Sequence, residues 1–231
     1  MTTTPSAAGA VDANSSSFRR PELLLVLTLP AFVAYLAVAV ATVATKADSS
    51  SGELTPAQVS DLGASWMLLH LLWMTPSVLA ILGLVGLAER AGERARATLP
   101  TLMGVTLVLT ALYLVSQVMA YGVDTPTWGD SAWYPTGMTL SLAVGWLGTI
   151  PATVLVTLGL AGGGTIPRTA RTIAALCGLY LVWEVATYAS IAIGSATLLD
   201  TVGPPPFLLG VLWAVLGARL WWSDRQHGDL A

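Results

Sequence analysis

The chain has 231 residues, of which 55% are hydrophobic and only 10% charged, and its formal net charge is −3. Soluble domains carry about 25% charged residues, so the composition excludes a soluble globule, and a mildly acidic chain without a basic stripe is not expected to bind nucleic acid. The single cysteine, Cys177, excludes an internal disulfide and any paired-cysteine metal or redox motif. His70 and His227 are the only histidines, too few for a bis-histidine haem site inside a membrane, so neither metal nor cofactor is expected.

Residues 1–20 are mostly Ser, Thr, Ala and Gly and read as a disordered cytoplasmic tail. Six apolar blocks follow, at approximately 22–45, 62–88, 99–121, 133–161, 169–195 and 206–222. Each reaches the roughly 17 residues that a span of the hydrocarbon core needs at the least, the last being the shortest. The expected fold is therefore all-α: a six-helix transmembrane domain over residues 21–223, followed by a cytoplasmic tail at 224–231. Arg19-Arg20 before the first block resembles the charged region of a signal peptide, but the apolar run from Leu23 to Ala44 exceeds the roughly 7–15 residues of a signal core. A retained helix is the expectation.

Charge gives the orientation. With the N-terminus in the cytoplasm, Arg19, Arg20, Arg90, Arg94, Arg96, Arg168, Arg171, Arg219 and Arg225 fall inside and Lys46 alone falls outside. The positive-inside rule asks for this asymmetry, and an even number of spans puts the C-terminus inside as well. A multi-pass protein of the plasma membrane is expected, with the lipid bilayer as its first partner.

Between the blocks, TPAQ (55–58) predicts a short capped helical turn, ERAGERARA a solvated connector, and Gly162-Gly163-Gly164 a turn. Pro76 should kink the second block near Leu72, and Pro151 the fourth. Trp128, Trp133, Tyr134, Trp221 and Trp222 stand near block ends, where interfacial anchoring accounts for them.

Glu184, in LYLVWEVATY (179–188), is the one carboxylate well inside a block. An ionised carboxylate there costs about 2.5–3.5 kcal/mol on insertion scales, so the group should be protonated or should meet a partner or water. By residue counting, His70 shares its level, as do Tyr35, Gln117 and Ser141. Helical spacing puts Trp66, Trp73 and Met74 on the face of His70, and Tyr180, Leu181, Thr187 and Tyr188 on that of Glu184. Two readings stay open for these faces. They can be polar and aromatic glue between helices, or they can line a site in the outer half of the bundle for an apolar or amphipathic small molecule. The second makes Glu184, His70, Trp66, Trp73, Gln117, Trp146, Tyr180, Trp183 and Tyr188 its candidate residues. A Glu184–His70 titrating pair would instead serve a small proton-coupled transporter. A subunit that only packs against a membrane-protein partner or a second copy is a further expectation.

Gly145-Trp146 followed on the next helix by Trp183-Glu184 resembles the pattern of small membrane-bound terpene cyclases of the fungal indole-diterpene and meroterpenoid type. The resemblance implies that Glu184 is an acid that protonates an epoxide or alkene, with Trp183 beside it. A neutral carboxylic acid in an apolar pocket is a strong proton donor, and aromatic faces stabilise a carbocation.

Overall fold

The computed structural model describes residues 20–44, 58, 61–121, 133–164, 166–192 and 207–228. The expected N-terminal tail, the TPAQ turn apart from Gln58, and Trp128 lie outside these residues. The described elements are helical, with no strand among them. In chain order they are α1 (Pro21–Ala39), continued by a π-helical turn at Val40–Ala44, α2 (Ala64–Gly86), the short α3 (Ala88–Ala91) and α4 (Glu93–Tyr121). Then come α5 (Trp133–Ala143), a π-helical segment at Val144–Thr149, α6 (Ile150–Gly162), α7 (Pro167–Ala192) and α8 (Phe207–Gly228).

Five stretches are long and apolar enough to cross a membrane: Pro21–Thr42, Ala64–Gly86, Glu93–Met119, Thr139–Gly162 and Pro167–Ala189. The 22-residue α8 is a sixth long helix, with Arg219, Asp224 and Arg225 in its second half. It runs on to Gly228, past the end of the apolar block at Trp222. Two contacts hold this extension. Arg90 pairs with Asp224 at 2.8 Å, and the Arg225 guanidinium lies 4.0 Å over the Trp221 ring.

Local chemistry explains the boundaries. Pro21 opens α1, where its missing N–H would have no partner in any case. Gly92, at φ 94°, takes the left-handed conformation that reverses the chain between α3 and α4. The expected turn at Gly163-Gly164 is present. α2 continues as one helix through Pro76. The fourth block shows its irregularity on the N-terminal side of Pro151. Proline has no N–H to give the carbonyl of Leu147, and over Val144–Thr149 the ladder widens to the i→i+5 pattern.

α1 lies between α2 and α8. Its Pro21 abuts Gly86, its Leu25 abuts Gly83, and the Glu22 carbonyl abuts Gly217. α6 runs through the middle, and Thr153, Val156, Thr157 and Leu160 on it are fully buried. α4 packs on α2, α5 and the π segment, whereas α7 packs chiefly on α6 and makes a smaller contact with α8. The core joins Leu25, Ile81, Leu84, Leu99, Leu160, Leu216 and Leu220 around Trp213, whose Nε1 donates to Thr153 Oγ1 at 2.8 Å. The turns carrying Arg90, Arg94, Arg96, Arg168 and Arg171 and the last turns of α8 gather at one end, called the basic end below.

Candidate functional site

Glu184 sits on α7 facing the π segment, where Trp146 Nε1 donates to its Oε2 at 2.6 Å. By helical rise both residues lie about 25 Å from the basic end. A π turn holds one residue more than an α turn, which re-aims the side chains on it, and such turns recur at functional sites. Tyr188, one turn past Glu184, sets its ring edge-on to Trp146 with centroids 6.0 Å apart. Tyr180, one turn before, is buried, as is Thr187, while Glu184 and Trp183 are half-buried. The other carboxyl oxygen, Oε1, accepts no hydrogen bond among the described residues. On the same helix Leu179, Val182 and Val185 are exposed. This is a carboxyl group at the margin of the bundle, one oxygen fixed by an indole, with aromatic rings around it and an apolar outer face beside it.

The second cluster lies inside the bundle. His70 on α2 shares a 2.6 Å hydrogen bond between its Nδ1 and the Tyr113 hydroxyl on α4. The Trp66 ring stands edge-on to His70 at 4.4 Å and the Tyr113 ring at 5.6 Å. Trp73 Nε1 donates to Ser141 Oγ on α5 at 2.9 Å, and its ring meets Tyr35 at 5.0 Å and Phe32 at 6.3 Å. Gln117 is buried, with its Nε2 in a long contact of 3.4 Å to Ser116 Oγ and lying against the bare backbone of Gly137. Neither His70 Nε2 nor Gln117 Oε1, both buried atoms, has a hydrogen-bond partner among the described residues.

The candidate residues thus fall into two groups at one level. His70, Trp66, Trp73 and Gln117 belong with α2 and α4; Glu184, Trp146, Tyr180, Trp183 and Tyr188 belong with the π segment and α7. Glu184 and His70 are not bonded to each other, since each has its own aromatic partner. Tyr35 and Ser141, placed in the same layer by counting, do meet there, through Trp73.

Sequence reading passed over several residues. Tyr113 is the partner of His70, and its position four residues before Gln117, on the same helical face, was the available signal. Thr110 and Thr149 have buried hydroxyls without partners among the described residues. Glu22, in the first turn of α1, is buried although it stands at the edge of its block, and its Oε2 has no partner among the described residues. An open apolar groove on α4, lined by Thr101, Gly104, Val105, Val108 and Leu109, includes none of the candidate residues. Among the described residues no three His, Cys, Asp or Glu side chains gather in a way that could hold a metal ion. No protein-family model, curated protein or solved structure matches the chain.

Proposed function

We propose that the chain is a six-span protein of the plasma membrane, with both termini cytoplasmic, that admits an apolar or amphipathic small molecule from the outer half of the bilayer to Glu184. Charge supports the topology, since nine of the ten Lys and Arg residues fall on one side of a six-span arrangement. α8 supplies the sixth span. Its apolar part, Phe207–Trp222, reaches about 24 Å, a short span, and Trp213 ties it to the first turn of α6.

The observation that carries the reading is the Trp146–Glu184 bond at the margin of the bundle. Carboxyl groups at such a depth persist where they have partners or line a cavity. Trp146 provides for one oxygen, and a hydroxyl or amine on a lipid-soluble molecule would complete the other. Trp146, Tyr180 and Tyr188 offer aromatic surface to the apolar body of that molecule, and the exposed face of α7 gives lateral access. A photoreactive long-chain alcohol, activated in bilayers containing the protein, tests this. Label concentrated on residues 179–188 and 144–149, and lost from both in Glu184→Ala, is the expected result. Uniform labelling of all outward-facing helices, unchanged in the variant, would contradict it.

A second reading has its own observation. The same hydrogen bond joins the two dipeptides, Gly145-Trp146 and Trp183-Glu184, that resemble the terpene cyclases. On that reading Glu184 is the acid, Trp146 orients its carboxyl group, and the proton passes to a prenylated epoxide. Product formed from such an epoxide in membranes holding the protein, and abolished by Glu184→Gln, would establish it; no turnover would remove it. The transporter reading has no direct Glu184–His70 bond to rest on.

A further inference from the structure

Away from Glu184, α4 presents Thr106, Thr110, Tyr113 and Gln117 at spacings of four, three and four residues, which place them on one helical face. The stripe extends about 16 Å along the helix. All four residues are buried, at 0%, 7%, 5% and 2% relative exposure. The stripe faces three elements, α5 among them, where Gln117 lies against Gly137. Tyr113 meets His70 of α2, and Thr106 lies against the bare backbone of Gly148 in the π segment, next to Thr149. Thr149 is itself fully buried. Along this seam Thr149 Oγ1, Thr110 Oγ1, His70 Nε2 and Gln117 Oε1 are buried polar atoms without partners among the described residues. Other interior threonines are satisfied differently. Thr106, Thr153 and Thr157 return their hydroxyls to carbonyls one turn back.

Leaving a polar group buried and unmade costs about 1–3 kcal/mol, so four of them on three neighbouring elements, Thr110 and Gln117 on α4, His70 on α2 and Thr149 in the π segment, call for an occupant. The chemistry of the four atoms selects it. Gln117 Oε1 only accepts, the threonine hydroxyls donate and accept, and the demand of His70 Nε2 depends on its tautomer. If the Tyr113 hydroxyl donates to Nδ1, then Nε2 carries the proton and needs an acceptor; in the other tautomer it needs a donor. Water meets every one of these demands. The close approaches of Gln117 to Gly137 and Thr106 to Gly148 leave little width for a larger molecule. Thr110 and Gln117, the two stripe residues with unpartnered atoms, stand two turns or about 10.5 Å apart along α4 with the His70–Tyr113 pair between them, a gap that takes several hydrogen-bonded waters in a row. We infer that a row of buried water molecules runs between α2, α4 and the π segment from Thr149 past Thr110 and His70 to Gln117. The row gives the His70–Tyr113 pair a neighbour with which to exchange protons inside the bundle. It is independent of the Glu184 reading.

Hydroxyl-radical footprinting by X-ray pulses on the full chain in lipid nanodiscs tests this, because radicals born from buried water mark the side chains beside it. Tyr113, His70 and the adjoining Met74 are reactive side chains next to the row. Cys177, equally reactive and fully buried in the apolar core, is the dry reference. Labelling of Tyr113, His70 and Met74 with Cys177 unlabelled is the expected result. If all three are as silent as Cys177, the seam is dry and the inference is wrong. The double variant Thr110→Val/Thr149→Val removes two of the water partners without changing shape. It should lose the labelling and melt below the parent chain. Labelling that persists unchanged, or a variant that melts higher, as expected when an unsatisfied hydroxyl is replaced in a dry seam, would overturn the placement.

Discussion

Two sites at one depth pair a titratable side chain with an aromatic residue, yet they differ in surroundings. His70 is held by Tyr113 between α2 and α4, flanked by Trp66 and backed by the Trp73–Ser141 bond. Glu184 is held by Trp146, but it belongs to α7, whose packing is chiefly with one helix and whose Leu179, Val182 and Val185 are exposed. The same kind of hydrogen bond therefore does different work. In the interior it fixes two helices against each other across a polar seam. At the margin it orients a carboxyl group while leaving it reachable.

The largest effect should come from Tyr113→Ala. It empties a buried aromatic position and strips His70 Nδ1 of its partner, and truncations of this type cost about 3–5 kcal/mol. Denaturant titration in mixed micelles reads this loss, and a cost under about 1 kcal/mol would mean that the interior cluster is not structural. Tyr113→Phe keeps the ring and removes only the hydrogen bond, worth about 0.6–1.7 kcal/mol between helices in a membrane. Trp146→Phe is the matching change at the margin. It should cost less stability than Tyr113→Phe, because Trp146 and Glu184 are half-buried, and it should scatter the photolabel away from Glu184. If Trp146→Phe destabilises more, the contrast between the two sites is reversed. Glu184→Gln should stay within about 0.5 kcal/mol of the parent in the same titration. Smallest of all is Arg90→Ala. The Arg90–Asp224 pair is about two-fifths exposed on both sides, and exposed pairs are worth about 0–1 kcal/mol, so its unfolding curve should nearly superimpose on that of the parent.

Much of the fold was legible because long apolar runs leave few options. Long apolar blocks of this kind form helices, and several of their ends lie close to those found, α2 at Ala64–Gly86 against the expected 62–88 for instance, whereas α4 begins six residues early, at Glu93, and α8 runs six residues past the expected end, to Gly228. Depth was legible in part, since residue counting put Tyr35 and Ser141 into the layer of His70 and Glu184, and both meet Trp73, one turn from His70. Rotation about each helix axis was not. Hydropathy is nearly uniform around an apolar helix, so nothing in the sequence showed that His70 faces α4 rather than α7, and Tyr113 went unremarked. The threonines escaped for a related reason. A threonine commonly bonds its own helix backbone, so only the structure separates Thr110 and Thr149 from Thr153 and Thr157. The π segment was hidden as well, since Pro151 announced a disturbance but not that it would lie ahead of the proline, at Trp146.

A lipid-soluble carbodiimide, which joins carboxyl groups as stable acylureas from within the bilayer, measures the access of Glu184 most directly. Peptide mass spectrometry of the protein treated in membranes should find the adduct on Glu184 and none on Glu22, which is buried at the basic end, and a water-soluble carbodiimide should leave Glu184 untouched. An unmodified Glu184, under conditions where other carboxyl groups of the chain react with the lipid-soluble reagent, would mean that the carboxyl group is sealed by packing and that the margin of α7 is not a site.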